Sequence, residues 1–187
     1  MNFINTQLPD VFIVEPQSFV DHRGYFMESY QKDKFVEAGL SSDFIQDNHS
    51  FSKEAGVIRG LHYQLNPKSQ TKLIRVVTGV ILDIVVDIRK GSPTFSQWLG
   101  VILSEYNNRQ LYIPKGFAHG FCTLTTNTTI LYKVDEPFSS EDDRGIAWND
   151  PDIGIEWPVS KPILSTRDEK HPLLKDIENN FYWEKIG

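Results

Sequence analysis

The chain has 187 residues, of which 40% are hydrophobic and 24% are charged, and it includes four Trp, seven Tyr and twelve Phe. This length and composition suit a single globular domain spanning residues 1–187, since disordered chains are poor in aromatic residues. The net charge of −6 argues against broad binding to nucleic acid or to an anionic membrane, because such binding needs a basic surface.

Cysteine use and hydropathy bear on where the protein works. The lone cysteine, Cys122, cannot form an internal disulfide and permits a reducing compartment. Residues 1–10 lack a basic and apolar signal pattern, and no apolar run approaches the roughly 20 residues of a membrane helix. We therefore expect a soluble, cytoplasmic protein that does not bind membranes.

Short strand-like runs recur through the first three quarters of the chain. Turn residues such as Gly91-Ser92-Pro93 and Pro114-Lys115-Gly116 separate them. This pattern predicts an all-β fold, either a sandwich or a barrel. The predicted strands cover residues 11–14, 24–30, 57–64, 72–77, 80–88, 98–103, 110–113, 119–124 and 128–134.

The remaining segments carry little regular structure. Residues 31–38 alone are predicted to form a helix, which Gly39 ends. From Glu141 onward the chain becomes polar and contains several prolines. We expect this part to be a peripheral tail wrapped on the barrel.

The predicted strand at residues 80–88 carries two acids on one face. Period-two alternation puts Asp83 and Asp87 on the side opposite Ile84 and Val86. One interpretation is a strand surface that faces solvent. The other places Asp83 inside the barrel, bonded to a buried histidine or arginine.

The densest polar cluster within a strand-like run is Arg59-Gly60-Leu61-His62-Tyr63-Gln64, which Lys72 follows closely. Alternation sends Gly60, His62 and Gln64 to one face of the strand. A histidine on a strand can be a hydrogen-bonded structural residue or a catalytic base. The basic residues nearby and a second histidine motif favour the catalytic role.

That second motif is a Pro114-x-Gly116-x-x-His119 turn leading into a strand, which resembles the second signature of the cupin barrels. Metal-binding cupins ligate through His-x-His, a downstream Glu and this later histidine, whereas the first motif here ends His62-Tyr63-Gln64. His62 and His119 alone do not supply the three protein ligands of a catalytic zinc or iron site. We expect no metal and no cofactor.

A barrel mouth with histidine, lysine and arginine suits proton abstraction beside a carbonyl. The histidine serves as a base near neutral pH, the lysine stabilises the enolate oxygen, and the arginine binds an anionic part of the substrate.

From about residue 12 to residue 168 the chain resembles the dTDP-4-dehydrorhamnose 3,5-epimerases, which are antiparallel jelly-roll proteins of the cupin kind. Several motifs of the family occur in the same order along the chain, so the probability that they match by chance is very small. They are Arg59-Gly-Leu-His-Tyr-Gln64, Ser92-Pro-Thr94, Ile113-Pro-Lys-Gly-Phe-Ala-His-Gly120, Tyr132-Lys133, Trp148-Asn-Asp-Pro151 and Ile155-Glu-Trp-Pro158.

The resemblance implies a catalytic set of four residues. His62 matches the family's base, and Asp168 matches the carboxylate that orients it. Lys72 matches the residue near the C4 oxygen, and Tyr132 matches the acid on the opposite face of the sugar. The implied reaction inverts C3 and C5 of dTDP-4-dehydro-6-deoxy-D-glucose and gives dTDP-4-dehydro-L-rhamnose.

The resemblance also implies a substrate-binding set and a homodimer, in which N-terminal strands exchange and carry some of these residues into the partner's site. Arg23 and Arg59 would meet the diphosphate, and Arg167 stands where many relatives have Lys. Phe138 stands where relatives have a Tyr that stacks on the base. The remaining substrate-binding residues are Phe19, Phe26, Glu28, Gln46, Asn48 and His119.

Three other functions stay open from the sequence. An epimerase that inverts only C3, or that acts on another nucleotide-linked 4-keto-sugar, would have a similar pattern. A non-catalytic sugar-nucleotide-binding barrel is disfavoured by the intact catalytic set. A metal-dependent cupin oxygenase is disfavoured by the absent His-x-His.

Overall fold

The computed structural model describes residues 1–40 and 43–183. Within these ranges there are thirteen strands, one α-helix (α1, Lys32–Glu37) and two 3-10 turns, Asp168–Lys170 and Leu174–Asp176. The strands are β1 (Asn2–Asn5), β2 (Phe12–Glu15), β3 (Ser18–Asp21), β4 (Gly24–Met27), β5 (Gln46–Ser52), β6 (Ile58–Gln64), β7 (Lys72–Thr78), β8 (Val80–Asp87), β9 (Trp98–Ser104), β10 (Gln110–Ile113), β11 (Phe117–Thr123), β12 (Thr128–Val134) and β13 (Asp143–Gly145).

Two antiparallel sheets make up the body of the protein. The first has the order β1-β2-β10-β7-β12-β5, and the second has the order β13-β6-β11-β8-β9. Apolar side chains from both sheets meet between them in one core cluster, for example Ile74 and Ile130 from the first sheet with Val85 and Leu103 from the second. This arrangement is a jelly-roll barrel, and it confirms the predicted all-β antiparallel fold.

The C-terminal part of the chain covers the outside of the second sheet, as predicted. Ile84 and Val86 of β8 point away from the inner core and pack with Ile146, Leu174 and Phe181 of the tail. Burial of these apolar side chains fixes the path of the tail across the sheet. The tail also delivers the turn Asp168–Lys170 to the edge of the cleft described below.

The two acids of β8 are buried, so the interpretation of a solvent-facing strand surface is wrong. Asp83 and Asp87 are both 0% exposed. Asp83 accepts a hydrogen bond from Nε2 of His119 at 2.7 Å, and Asp87 accepts from Nε of Arg89 at 3.0 Å. These partners offset part of the cost of burying each carboxylate, and Asp83 Oδ2 has no hydrogen-bond partner among the described residues.

The sequence did not predict four of the strands, β1, β3, β5 and β13. The clearest case is β5, whose residues 46–52 read QDNHSFS and carry no apolar stripe. Its alternate side chains Gln46, Asn48 and Ser50 line cavities rather than the core. The strand is held instead by its antiparallel register with β12, in which Asn48 lies opposite Tyr132.

Strands β3 and β4 form a separate two-stranded hairpin beside the two main sheets. Tyr25 on this hairpin donates a long hydrogen bond, 3.5 Å from its Oη to Asn108 Oδ1. It leaves large apolar side chains in solvent, including Phe19 at 56% and Phe26 at 68% exposure. No helix in residues 1–40 or 43–183 is long and apolar enough to cross a membrane.

Candidate active site

A cleft of about 620 Å³ opens between the two sheets, and a second cavity of about 270 Å³ adjoins it. Four side chains line both cavities, His62, Lys72, Tyr132 and Arg167. His62 lies on the second sheet, whereas Lys72 and Tyr132 lie on the first. The barrel therefore presents a base, a cation and a phenol from opposite walls of one space.

His62 is paired with Asp168 at one wall of the cleft. Its Nε2 lies 2.6 Å from Asp168 Oδ1, and the carboxylate side chain is 6% exposed. An ionised carboxylate can only accept, so Nε2 carries the proton and Nδ1 keeps the lone pair. This is the tautomer that a general base needs, with Nδ1 available to a ligand.

Asp168 is held in place by its own turn. Ser165 Oγ donates to Asp168 Oδ2 at 2.9 Å and accepts from the backbone N–H of Asp168 at 3.1 Å. Burial by itself would raise the pKa of Asp168, but the adjacent His171, His62 and Ser165 hold it well below its usual range. The carboxylate stays ionised at any pH at which the protein works.

Burial lowers the pKa of His62 below its ordinary value near 6.5, although the Asp168 carboxylate opposes that shift. Lys72 and Arg167 add to the lowering because their positive charges disfavour an imidazolium. His62 is therefore neutral at pH 7, which is the form that can accept a proton.

Lys72 lies at the start of β7, and its half-buried side chain lines the cleft. Burial lowers the pKa of Lys72 to about 8, and the negative charges of Asp143 and Asp83 only partly oppose it. The side chain remains mostly cationic at pH 7. A cation in a poorly solvated cleft is well suited to stabilise a developing oxyanion.

Burial also raises the pKa of Tyr132, with the positive charge of Arg59 acting against it. The phenol therefore keeps its proton near neutral pH and can act as an acid. Tyr132 projects from β12 of the first sheet, across the cleft from His62 on β6 of the second.

Besides His62, two basic side chains of the second sheet, Arg59 and His119, line the larger cavity. Arg59 donates from Nη2 to the carbonyl of Phe51 at 3.1 Å and from Nε to Ser52 Oγ at 3.4 Å, and the residue is exposed. His119 lies opposite His62 in the β11–β6 register, and its bond to Asp83 fixes the ring. The cleft thus combines an exposed guanidinium with a second, anchored imidazole.

The smaller cavity contains the other predicted binding residues of this region. Gln46 Nε2 donates to Asn48 Oδ1 at 2.8 Å, so the two amides act as one polar unit. Phe138 lines the same cavity and is 62% exposed. Arg167 forms an ion pair with Asp143 at the junction of the two cavities.

Four predicted substrate-binding residues do not reach the cleft of their own chain. Phe19, Arg23 and Phe26 lie on the β3–β4 hairpin, and Glu28 follows it. Arg23 pairs with Asp21, and Glu28 pairs with Lys34. None of these four residues lines either cavity of the described chain.

Sequence reasoning missed His171 and Ser165, which surround Asp168. The metal argument from sequence counted His62 and His119, but the groups next to His62 are Asp168 and His171. The signal that could have found them is their spacing, since Ser165 lies three residues before Asp168 and His171 three residues after it, around the 3-10 turn Asp168–Lys170.

Comparison with known proteins identifies the family of this chain. The family model described as dTDP-4-dehydrorhamnose 3,5-epimerase matches residues 5–176. The dTDP-4-dehydrorhamnose 3,5-epimerase of Shigella flexneri is 54% identical over 169 residues, which cover 90% of this chain and 93% of the relative.

Solved structures show the same fold. The Bacillus anthracis dTDP-4-dehydrorhamnose 3,5-epimerase with TDP and PPi bound has a TM-score of 0.90 and 55% identity, covering 92% of this chain and 98% of that one. The Legionella pneumophila dTDP-6-deoxy-D-glucose-3,5-epimerase in complex with dTDP-4-keto-L-rhamnose has a TM-score of 0.91 and 45% identity, covering 95% and 94%. The chain therefore belongs to the dTDP-4-dehydrorhamnose 3,5-epimerase family.

Proposed function

We propose that this protein converts dTDP-4-dehydro-6-deoxy-D-glucose to dTDP-4-dehydro-L-rhamnose by inverting C3 and C5. The observation that carries the proposal is the His62–Asp168 pair facing Tyr132 across a cleft that also holds Lys72. Both carbons lie beside the C4 ketone, so both C–H bonds become acidic when the carbonyl oxygen is stabilised. The chemistry is proton transfer alone.

In the first half of each inversion, His62 Nδ1 takes the proton from the carbon. The electron pair of that C–H bond moves into an enolate, whose negative charge lies on the C4 oxygen. Lys72 stabilises that oxygen, and Asp168 stabilises the imidazolium formed on His62. Burial of the site strengthens both charge interactions.

In the second half, Tyr132 delivers a proton to the opposite face of the same carbon. His62 cannot do this from its own wall, and the raised pKa of the phenol keeps a proton on Tyr132 until the enolate forms. The ketone is regenerated as the enolate accepts the proton. Water then returns a proton to Tyr132 and removes one from His62, which completes the cycle.

Binding energy comes from the nucleotide part of the substrate. Arg59 and Arg167 line the larger cavity and suit the diphosphate, since guanidinium groups bind phosphate oxygens in a bidentate way. His119 lines the same space beside the sugar. Gln46, Asn48 and Phe138 line the smaller cavity and suit the base.

We also propose that the protein is a homodimer in which each hairpin contributes to the partner's cleft. The hairpin exposes Phe19 and Phe26 and presents Arg23 in solvent, an apolar and basic combination suited to a nucleotide diphosphate. Glu28 would follow the hairpin into the same cleft. The cytoplasm is the proposed location, because the free thiol of Cys122 suits a reducing compartment.

Deuterium labelling tests the proposed reaction. The purified protein is incubated with dTDP-4-dehydro-6-deoxyglucose in deuterated water, and NMR locates the label. Label at both C3 and C5 is the expected result. Label at C3 alone would assign a 3-epimerase, and no label at either carbon would contradict the proposal.

The Tyr132→Phe variant should separate proton exchange from inversion. The substitution keeps the ring's packing and removes only the hydroxyl, so His62 can still form the enolate while delivery from the far face fails. We expect inverted product to form about 10²-fold more slowly, with solvent exchange at the activated carbon retained. Inversion at the parent rate would show that another group supplies the proton.

The pH dependence of kcat/KM should be bell-shaped. Activity rises as pH increases through the pKa of His62, which lies below 6.5, because only neutral His62 is a base. Activity falls as pH increases through about 8, because Lys72 then loses its charge. The optimum should therefore lie between these two limits.

The Lys72→Arg variant identifies the alkaline limb. Arginine keeps its charge at every pH at which the protein is stable, so the fall near pH 8 should disappear even if the maximal rate is lower. An unchanged alkaline limb in this variant would assign the limb to a different group.

A further inference from the structure

The mechanism uses His62 and Asp168 but leaves a third titratable group of the same cluster without a role. His171 lies three residues after Asp168, with its Nε2 3.4 Å from Asp168 Oδ1 and its side chain 10% exposed. That nitrogen is buried and has no hydrogen-bond partner among the described residues. The acceptor nearest to it, Asp168 Oδ1, is already bonded to His62 at 2.6 Å, and a buried imidazole nitrogen with only this long contact calls for an explanation.

The site around His171 is built to hold the ring. A Cβ atom at Gly145 would come within 2.3 Å of the imidazole, so glycine at this position makes room for it. Gly145 lies opposite His62 in the β13–β6 register. The two imidazoles meet edge to face, with ring centroids 5.4 Å apart. Backbone pairing thus fixes His171 beside His62.

The three groups lie close enough together to ligate one metal ion. One atom each from His62, Asp168 and His171 lie within 4.8 Å of one another. Two imidazoles and one carboxylate are the protein ligands of several zinc sites, in which bonds of about 2.0–2.2 Å put the ligand atoms about 3.3 Å apart. The His171–Asp168 distance of 3.4 Å already fits that geometry.

The His62–Asp168 contact of 2.6 Å is shorter and must lengthen by about 0.7 Å to admit the ion. The His62 side chain is 30% exposed at the cleft, which leaves it space to move. Lys72 and Arg167 both act on His62 with positive charge. Their repulsion weakens the site and favours reversible over permanent occupation.

We propose that His62 Nε2, Asp168 Oδ1 and His171 Nε2 form an inhibitory site for a divalent transition-metal ion, with Zn²⁺ as the ion of best fit. The ion would take the position of the proton that His62 shares with Asp168. It would occupy the Asp168 side of His62 and leave Arg59 free for nucleotide.

Inhibition follows from the tautomer, and this step rests on the proposed function. A neutral imidazole carries one N–H, so a metal ion on Nε2 moves that proton to Nδ1. The lone pair that accepts the sugar proton is then gone. Zinc should stop proton abstraction while nucleotide still binds.

Calorimetric titration of ZnCl₂ into chelator-treated full-length protein tests the site directly. We expect one ion per chain, with His171→Phe and His171→Gln each weakening the affinity by at least about tenfold. The exposed His49 on β5 provides the matched control, His49→Gln, which should bind zinc as the parent does. Thermal unfolding of each variant checks that it is folded.

Equal zinc affinity in the parent and both His171 variants, or no one-site binding to the parent at 0.1 mM zinc (roughly the weak limit for a functional site), would overturn the proposal. The inhibitory role has its own test. Zinc should abolish deuterium exchange in the parent, leave the affinity for dTDP unchanged, and be reversed by chelator. If zinc binding depends on His171 but the zinc-free protein shows no exchange, the proposed function fails and the metal site stands.

Discussion

The His62→Gln variant should show no measurable deuterium exchange at C3 or C5 and should lose about 10⁴-fold in turnover. Glutamine can still donate to the Asp168 carboxylate, because its amide nitrogen reaches about as far as the imidazole Nε2 that makes this bond in the parent, and the buried charge therefore stays paired. It has no lone pair basic enough to take a proton from carbon. NMR of the sugar in deuterated water measures exchange, and product analysis measures turnover.

Binding of dTDP provides the control for this variant. Arg59, Gln46 and Asn48 are untouched, so the affinity for the nucleotide should match that of the parent. Loss of exchange with intact nucleotide binding assigns a purely chemical role to His62. Residual exchange within tenfold of the parent would mean that another base, such as the neighbouring His119, abstracts the proton.

Much of the barrel could be predicted because its strands have a strict apolar period. Strand β8 is the best example, since its alternate side chains enter two different core clusters. The predicted ranges for β6, β7, β8 and β9 agree with the structure to within one residue at each end. When both faces of a strand are buried, nearly every position must be apolar, so the strand is easy to recognise in the sequence.

Strand β5 could not be predicted for the opposite reason. Its inward face is polar because it lines a ligand cleft, so the pattern that marks a strand in sequence is missing. The hydrogen bonds to β12 that hold it depend on a partner about 80 residues away in the chain. Local pattern contains no information on such a pairing.

In the candidate active site, too, local pattern predicted some residues, and others depended on contacts between distant parts of the chain. Alternation predicted the strand face on which His62 lies, but it left open whether Asp83 faces solvent or the barrel interior. Asp83 faces the interior because it bonds to His119, which lies on the neighbouring strand β11, 36 residues later in the chain. Asp168 followed from family resemblance rather than from pattern, because it lies in an irregular tail. His171 escaped notice because its closeness to His62 depends on where that tail runs.

The Asp168→Asn variant should lose about 10²–10⁴-fold in turnover with the fold preserved. The amide has the shape of the carboxylate but no charge, so it cannot stabilise the imidazolium that His62 becomes. If the amide nitrogen turns toward His62, it also forces Nε2 to accept, which moves the proton to Nδ1 and removes the base. Either orientation slows proton abstraction.

The matched control is Ser165→Ala, which removes the 2.9 Å hydrogen bond to Asp168 Oδ2 and leaves the charge in place. Because this change leaves in place the charge that stabilises the imidazolium, turnover should fall less than in Asp168→Asn. Exchange kinetics at C3 and C5 compare the two variants. If both slow the reaction equally, Asp168 serves to position the turn, and its charge does not assist His62. If only the Asn variant is severely slowed, the charge on the carboxylate is what makes His62 an effective base.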